Sequence, residues 1–240
     1  FGLNNILGRV PIHWSDRIIV LVPAGREVIA SRNADVPISE IPQPVDSEQF
    51  SPVSSEGKRA LATELGIPTS KRVFLTVGRL TERKGMRTII ETAKQLTAQN
   101  KQFRWYILGE GPMKEELAVT PGIEPLGRVD FERIADYYRV ADLVIHPSRI
   151  EGLPNVLLEA AACGTPTVAR DVGDCQLIAS ATFEDDTQLP VLITQDHDPV
   201  ALGERFDEQT LSEQYAKVLT ETAGDNDKKK LDDVKEFSNA

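Results

Sequence analysis

Only two cysteines, Cys163 and Cys175, occur in 240 residues. That is too few for a disulfide framework, and a reducing cytoplasm fits such a chain better. No C-x-x-C, H-E-x-x-H or other metal-ligand spacing is present, so no metal site is expected. No apolar run approaches the roughly 20 residues that a membrane helix needs. Cationic residues are outnumbered, 27 Lys and Arg against 37 Asp and Glu, for a net charge of −10. A broad basic face for nucleic acid or anionic lipid is therefore not expected. The opening FGLNNILGRVPIHW lacks an initiator Met, a basic n-region and a long apolar stretch, so the chain is expected to begin within a longer protein.

Apolar residues make up 40% of the chain, enough to bury a sizeable core. Short β-branched runs alternate with amphipathic segments. RIIVLV (17–22), RVFLTVG (72–78), FRWYILG (103–109), DLVIHPS (142–148), TPTVAR and VLIT (191–194) read as strands. Segments 26–33, 54–66, 84–100, 130–141, 154–162 and 211–223 read as helices, with Asp130 as an N-cap. Within 84–100, Met86, Ile89, Ile90, Ala93 and Leu96 form one stripe. A further helix is expected over 112–118 with Pro112 at its first position. This alternation predicts an α/β class with a Rossmann-like parallel sheet and helices on both faces. Residues 37–53 hold four prolines and read as a linker with at most one short strand, ISEI. The charged stretch 224–240 is expected to be disordered.

In such a sheet, ligands gather beyond the carboxyl ends of the strands. The chemically suggestive residues follow strand ends: Gly78 and Arg79, then Gly109, Glu110 and Gly111, then Ser148 to Asn155. Arg79 and Lys84 are two cations spaced to neutralise a diphosphate, a group that needs charge neutralisation more than proton transfer in order to leave. Arg can grip two oxygens, and Lys acts as a point charge. Backbone N–H groups from about Leu153 to Val156 would open a helix and carry the positive end of its dipole, where phosphate is favoured. Glu159, further into that helix, can accept two ribose hydroxyls. Glu151, before the turn, can reach an attached sugar. The two glutamates need not form the close pair of a glycosidase.

The ordered string GRL-x3-KG, LGEGPM, LGRV, ADLVIHPS and EGLPNVLLEAAACGTPTVA resembles the C-terminal half of retaining glycosyltransferases of family 4, which have the GT-B fold. The likeness covers about Ile41 to Asp171 and more loosely reaches Tyr215. Glu151 and Glu159 match that family's E-x7-E pattern. The resemblance implies a domain over 54–223 that binds a nucleotide-sugar such as a UDP- or GDP-sugar as substrate, with no cofactor. Arg79, Lys84 and Glu151 would be the catalytic set. Gly78, Gly109, Arg128 and Val129 would line the nucleotide side. The backbone of Gly152, Leu153, Pro154, Asn155 and Val156 would hold the sugar and distal phosphate, and Glu159 the ribose. Transfer to an acceptor hydroxyl would retain configuration. The acceptor, a glycan, lipid or small molecule, would sit on an N-terminal domain or a partner chain, of which residues 1–36 would be a remnant. Cytoplasmic location, with peripheral membrane contact through that other half, would follow. The stretch DVGDCQLI departs from the family's Gly-Gly turn and following Glu.

Each feature also has a plain reading. Taken singly, Arg79 and Lys84 would be solvated surface charges, Glu159 an exposed helix residue, and Glu151 a helper of the turn. Gly109 and Gly111 would only turn the chain. His146, inside a strand, reads as packed core. The alternative function is a non-catalytic nucleotide-sugar binding module, or a subunit that needs a separate acceptor-domain partner. A sugar-nucleotide epimerase or a phosphorylase is a third option, and no pyridoxal-phosphate lysine motif supports the latter.

Overall fold

The computed structural model describes residues 15–31 and 35–222, without the side chains of Ala24 and Arg205. The stretch 224–240, expected to be a disordered tail, lies outside the described residues. The chain divides into two compact units: Val45–Gly203, and the described residues on either side of it.

In the smaller unit, strands Ile18–Val20 (β1) and Ile38–Glu40 (β2) pair in parallel. Helix Pro23–Ala30 (α1), which has Pro in its first turn, lies between them in sequence. The run ISEI thus does hold a strand.

The larger unit opens with helix Ser55–Glu64 (α2), whose N-cap Ser54 accepts from the Gly57 amide. Strand Arg72–Val77 (β3), helix Met86–Ala98 (α3) and strand Phe103–Leu108 (β4) follow. Helix Lys114–Ala118 (α4), strand Ile123–Gly127 (β5), helix Phe131–Val140 (α5) and strand Leu143–His146 (β6) come next. Helix Asn155–Ala162 (α6), strands Thr167–Arg170 (β7) and Ala181–Phe183 (β8), and helix Leu189–Leu192 (α7) complete it. Helix Glu208–Thr222 (α8) returns to the smaller unit, where Leu211 and Val218 pack with Ile41.

The six strands of the larger unit are all parallel, in the order β5-β4-β3-β6-β7-β8. The α3 stripe is buried as its spacing requires: Met86, Ile89, Ile90, Ala93 and Leu96 are each at most 1% exposed. It packs with Phe74, Trp105, Ile107, Leu143, Ile145 and Phe183 in one apolar core. The buried indole of Trp105 donates to Thr76 Oγ1 at 3.0 Å, so its N–H is satisfied inside that core.

Three local expectations are corrected. Residues 191–194 are not a strand: α7 ends at Leu192, and Leu189 and Ile193, one helical turn apart, are fully buried in the core. Pro112 is not the first helical residue, because the Met113 amide donates to Leu80 O and Lys114 to Gly111 O, which makes a turn before α4 begins. Asp130 stands at the N-cap position of α5 but its side chain makes no capping hydrogen bond. Two strands carry weak sequence signals. β5 contains Pro125 and a register shift, both tolerated at the sheet edge, and β8 is a three-residue edge strand.

Candidate functional site

Strand order puts β3 beside β6, although β4 and β5 intervene in the chain. The chain leaves β3 towards one edge of the sheet and leaves β6 towards the other. The crossovers after these two strands therefore lead away from each other, which makes the carboxyl ends of β3 and β6 the switch point near which open α/β sheets bind ligands.

The loop after β3 ends in a 3-10 turn, Glu82–Lys84, capped by the Thr81 side chain. The loop after β6 is tied to it: the Arg149 amide donates to Arg83 O at 2.9 Å. Gly85, at φ +79°, lets the start of α3 lie against Pro147, where a Cβ would overlap the Pro147 carbonyl oxygen. This close approach brings Lys84 Nζ to 2.5 Å from Glu151 Oε1. His146 Nε2 lies 3.1 Å from the same oxygen. The Glu151 side chain is 13% exposed and that of Lys84 22%. Burial pushes the Glu151 carboxyl up, but hydrogen bonds with His146, Lys84 and Ser148 outweigh it and hold the group at about 2. Glu151 is thus a fixed carboxylate.

A cleft of about 470 Å³ adjoins the ends of β3 and β4. Gly78, Arg79, Gly109, Arg128 and Val129 line it together with Glu110 and Ile134. Five residues singled out from three separate sequence motifs thus share one hollow. Gly109, at φ +136°, packs its backbone against the Gly78 carbonyl, and its amide donates to Gly127 O at 2.7 Å. Arg79 is exposed and has no ion-pair partner among the described residues.

Pro154 takes the N-cap position of α6 in extended conformation. The Leu157 amide turns back to Pro154 O at 3.1 Å. Among Gly152 to Val156, Pro154 has no N–H to offer, so it shapes the turn rather than donating. The amides of Asn155 and Val156 remain as first-turn donors. Glu159 lies in the first turns of α6 and accepts from the Tyr138 hydroxyl at 2.7 Å. Burial pushes the Glu159 carboxyl up, and the Tyr138 bond opposes this in part. The two glutamates therefore sit in contrasting settings, Glu151 among donors and Glu159 in a drier one.

The structure brings to the site residues that the sequence did not mark as part of it. His146 reads as core in a strand, yet its ring reaches Glu151. Tyr138 lies in α5, just before the ADLVIHPS motif and outside it, and its hydroxyl donates to Glu159. Asp186 accepts from Thr88 Oγ1 at 2.9 Å, from Arg149 and from buried Arg170, and so ties α3, the β6 loop and β7 together. Neither Arg170 nor Asp186 stands in a motif that would have drawn notice. The DVGDCQLI stretch packs onto this site, with the Asp174 amide donating to Gly152 O at 2.9 Å. Among the described residues, no group of three or more His, Cys, Asp or Glu is placed to hold a metal ion, and no helix is long and apolar enough to cross a membrane.

Comparison with known proteins agrees with this geometry. The family model described as glycosyl transferases group 1 matches residues 71–208. A D-inositol 3-phosphate glycosyltransferase of Nocardiopsis dassonvillei is 34% identical over 155 residues, 58% of this chain and 35% of that protein. A GDP-mannose-dependent monoacylated alpha-(1-6)-phosphatidylinositol monomannoside mannosyltransferase of Corynebacterium glutamicum is 30% identical over 145 residues, 55% of this chain and 38% of that protein. The chain spans little more than a third of the length of these relatives. Among solved structures, HepE of Anabaena in complex with UDP superposes with a TM-score of 0.76 at 21% identity, over 92% of this chain and 69% of that one. Sucrose-phosphate synthase of Thermosynechococcus elongatus gives 0.74 at 22% identity, over 90% and 61%. At such identities these two structures speak for the fold, which is that of GT-B enzymes.

Proposed function

Because the chain belongs to the group 1 glycosyltransferases, we propose that it supplies the nucleotide-sugar site for transfer of a sugar to an acceptor hydroxyl with retention of configuration. The observation that carries this reading is the cleft at the ends of β3 and β4, where Gly78, Arg79, Gly109, Arg128 and Val129 meet. The base of the nucleotide lies in this cleft against Gly109, Arg128 and Val129. The ribose reaches Glu159, whose carboxyl already accepts from Tyr138 and keeps a further oxygen for hydroxyl donors. The diphosphate lies between Arg79, Lys84 and the first amides of α6. Those groups stabilise negative charge as the sugar–phosphate bond breaks, which lowers the barrier without a proton transfer to the leaving group. Glu151 holds the sugar hydroxyls as an ionised acceptor.

The acceptor hydroxyl is the nucleophile, and we assign no residue of this chain to it. A second domain or partner chain brings it to the site. We place the reaction in the cytoplasm, with contact at the membrane surface where the acceptor is a lipid. The two free, buried cysteines accord with a reducing compartment.

A thermal-shift titration of the 240-residue chain with UDP-, GDP- and ADP-sugars tests the reading. A bound nucleotide-sugar raises the midpoint with concentration. No shift with any of them overturns it. A subunit that only binds would show the shift but no transfer after addition of the partner half, whereas the proposed enzyme transfers sugar once that half is supplied.

A further inference from the structure

The imidazole of His146 lies at the carboxyl end of β6, 4% exposed, with Nε2 3.1 Å from Glu151 Oε1. The same oxygen meets Lys84 Nζ. One carboxylate oxygen is thus shared between a lysine from one loop and a histidine from the strand below. Lys84 has three donors, but the further its ammonium turns to a diphosphate the weaker its hold on Glu151 becomes. If it leaves, a largely buried carboxylate loses its cation, and an unpaired buried charge is costly.

The surroundings show what is left to it. From its own loop, Ser148 also hydrogen-bonds to Glu151. From the turn after β7, Cys175 faces Glu151, and burial and then that carboxylate push its thiol up to about 12, so it stays neutral. Asp171 and Asp174, beside Cys175, add negative charge. Arg170, at the end of β7, is committed to Asp186 and to the carbonyls of Glu184 and Pro147. Of the two side chains other than Lys84 that hydrogen-bond to Glu151, Ser148 is a neutral hydroxyl, whereas an imidazole can take up a proton and carry positive charge.

We propose that His146 is a positioning residue that takes over Glu151 when Lys84 turns to a bound diphosphate, and that this hand-over draws one proton from solvent onto the His146–Glu151 pair. The inference rests on Lys84 meeting the diphosphate, as proposed above. It gives Glu151 a fixed orientation toward the sugar in the loaded site, with His146 rather than Lys84 as its partner.

Calorimetric titration with UDP and, separately, GDP at pH 7.5 tests this, run in HEPES and in Tris, whose ionisation heats differ. The terminal phosphate of the nucleotide, with a pKa of about 6, is already largely ionised at that pH and contributes little. The buffer dependence of the binding heat should report net proton uptake, up to about one proton per site. In His146→Gln the amide keeps a donor for Glu151 but cannot titrate, so binding should persist while uptake falls to near zero. The wild-type chain alone gives a second reading: its affinity should rise as pH is lowered from 9 to 7. Binding with no buffer-dependent heat and no such pH dependence overturns the hand-over and leaves the donor site standing. Uptake that survives in His146→Gln removes His146 from it. If neither nucleotide binds, the donor-site reading falls, and the hand-over with it.

Discussion

Lys84 Nζ lies 2.5 Å from Glu151 Oε1, sixty-seven positions away in the chain. The contact joins the loops that leave β3 and β6, whose crossovers run to opposite edges of the sheet. It places a cation and a carboxylate, drawn from two motifs, against each other at the point where the sheet changes winding direction. The pair cancels its own charge in the free chain, so an anionic ligand competes with Glu151 for the lysine.

The pH dependence of folding should register Glu151. Its carboxyl is held at about 2, below its ordinary 4.5, so the folded state binds fewer protons than the unfolded chain between those values. Its stabilising contribution is present in full above the unfolded value and is lost as pH falls through the folded one. Its size is up to about 3 kcal/mol. Chemical denaturation of wild type and Glu151→Gln from pH 7 to pH 3 should show a steeper loss in wild type, with the gap between the two narrowing as acid is added. Parallel curves would mean that Glu151 is not held by its donors.

Lys84→Ala and Arg79→Ala should separate binding from folding. Each removes one charge-assisted contact to the proposed diphosphate, about 1.5–3 kcal/mol. For Lys84 the gain is offset by the bond it gives up to Glu151, so UDP or GDP affinity should fall several-fold. Arg79 is exposed with no ion-pair partner among the described residues, so its loss should weaken binding by a larger factor while the thermal midpoint of the free chain stays put. Lys84→Ala should lower that midpoint, because Glu151 loses a partner. Calorimetry and thermal unfolding on both variants check this pattern. Unchanged affinity in either removes that residue from the site.

The sheet was legible because its central strands are short β-branched runs and its helices carry 3.6-residue stripes, as in α3. β5 escaped notice because Pro125 breaks the strand signal at an edge that tolerates it. The run VLIT misled because four apolar residues cannot separate a buried strand from a buried helix turn; the turn-apart burial of Leu189 and Ile193 decides it. At the site, motif order brought out Arg79, Gly109, Arg128 and Val129, which the fold gathers in one cleft. His146 and Tyr138 stayed hidden because each acts through a neighbour. Nothing in a β6 or α5 sequence pattern states which way a ring points.

Gly85→Ala should damage the site through the backbone alone. The residue sits at φ +79°, and a side chain there would overlap the Pro147 carbonyl. Both penalties act on the contact that holds the β3 and β6 loops together, and a loss of roughly 2–4 kcal/mol is expected. Gly152→Ala is the control: its Cβ would meet nothing within 4 Å, and folding should be nearly unaffected. Urea midpoints of the two variants measure the difference. Equal stability would show that the loops do not need this close approach.

Tyr138→Phe should act on Glu159 at a distance from any ligand. Tyr138 is fully buried, and its hydroxyl donates to Glu159 at 2.7 Å. Burial already pushes the Glu159 carboxyl up, and this bond is what holds it down. Without it the carboxyl should rise further, and folding should lose about 1 kcal/mol. If Glu159 receives the ribose as a carboxylate, UDP or GDP affinity in Tyr138→Phe should weaken at a higher pH on the acid side than in wild type. The preference for a nucleotide over its 2′,3′-dideoxy form should shrink in parallel. Affinities of both ligand forms measured from pH 5 to pH 8 give the two curves. An acid limb at the same pH in both proteins, with the preference intact, would place the ribose elsewhere.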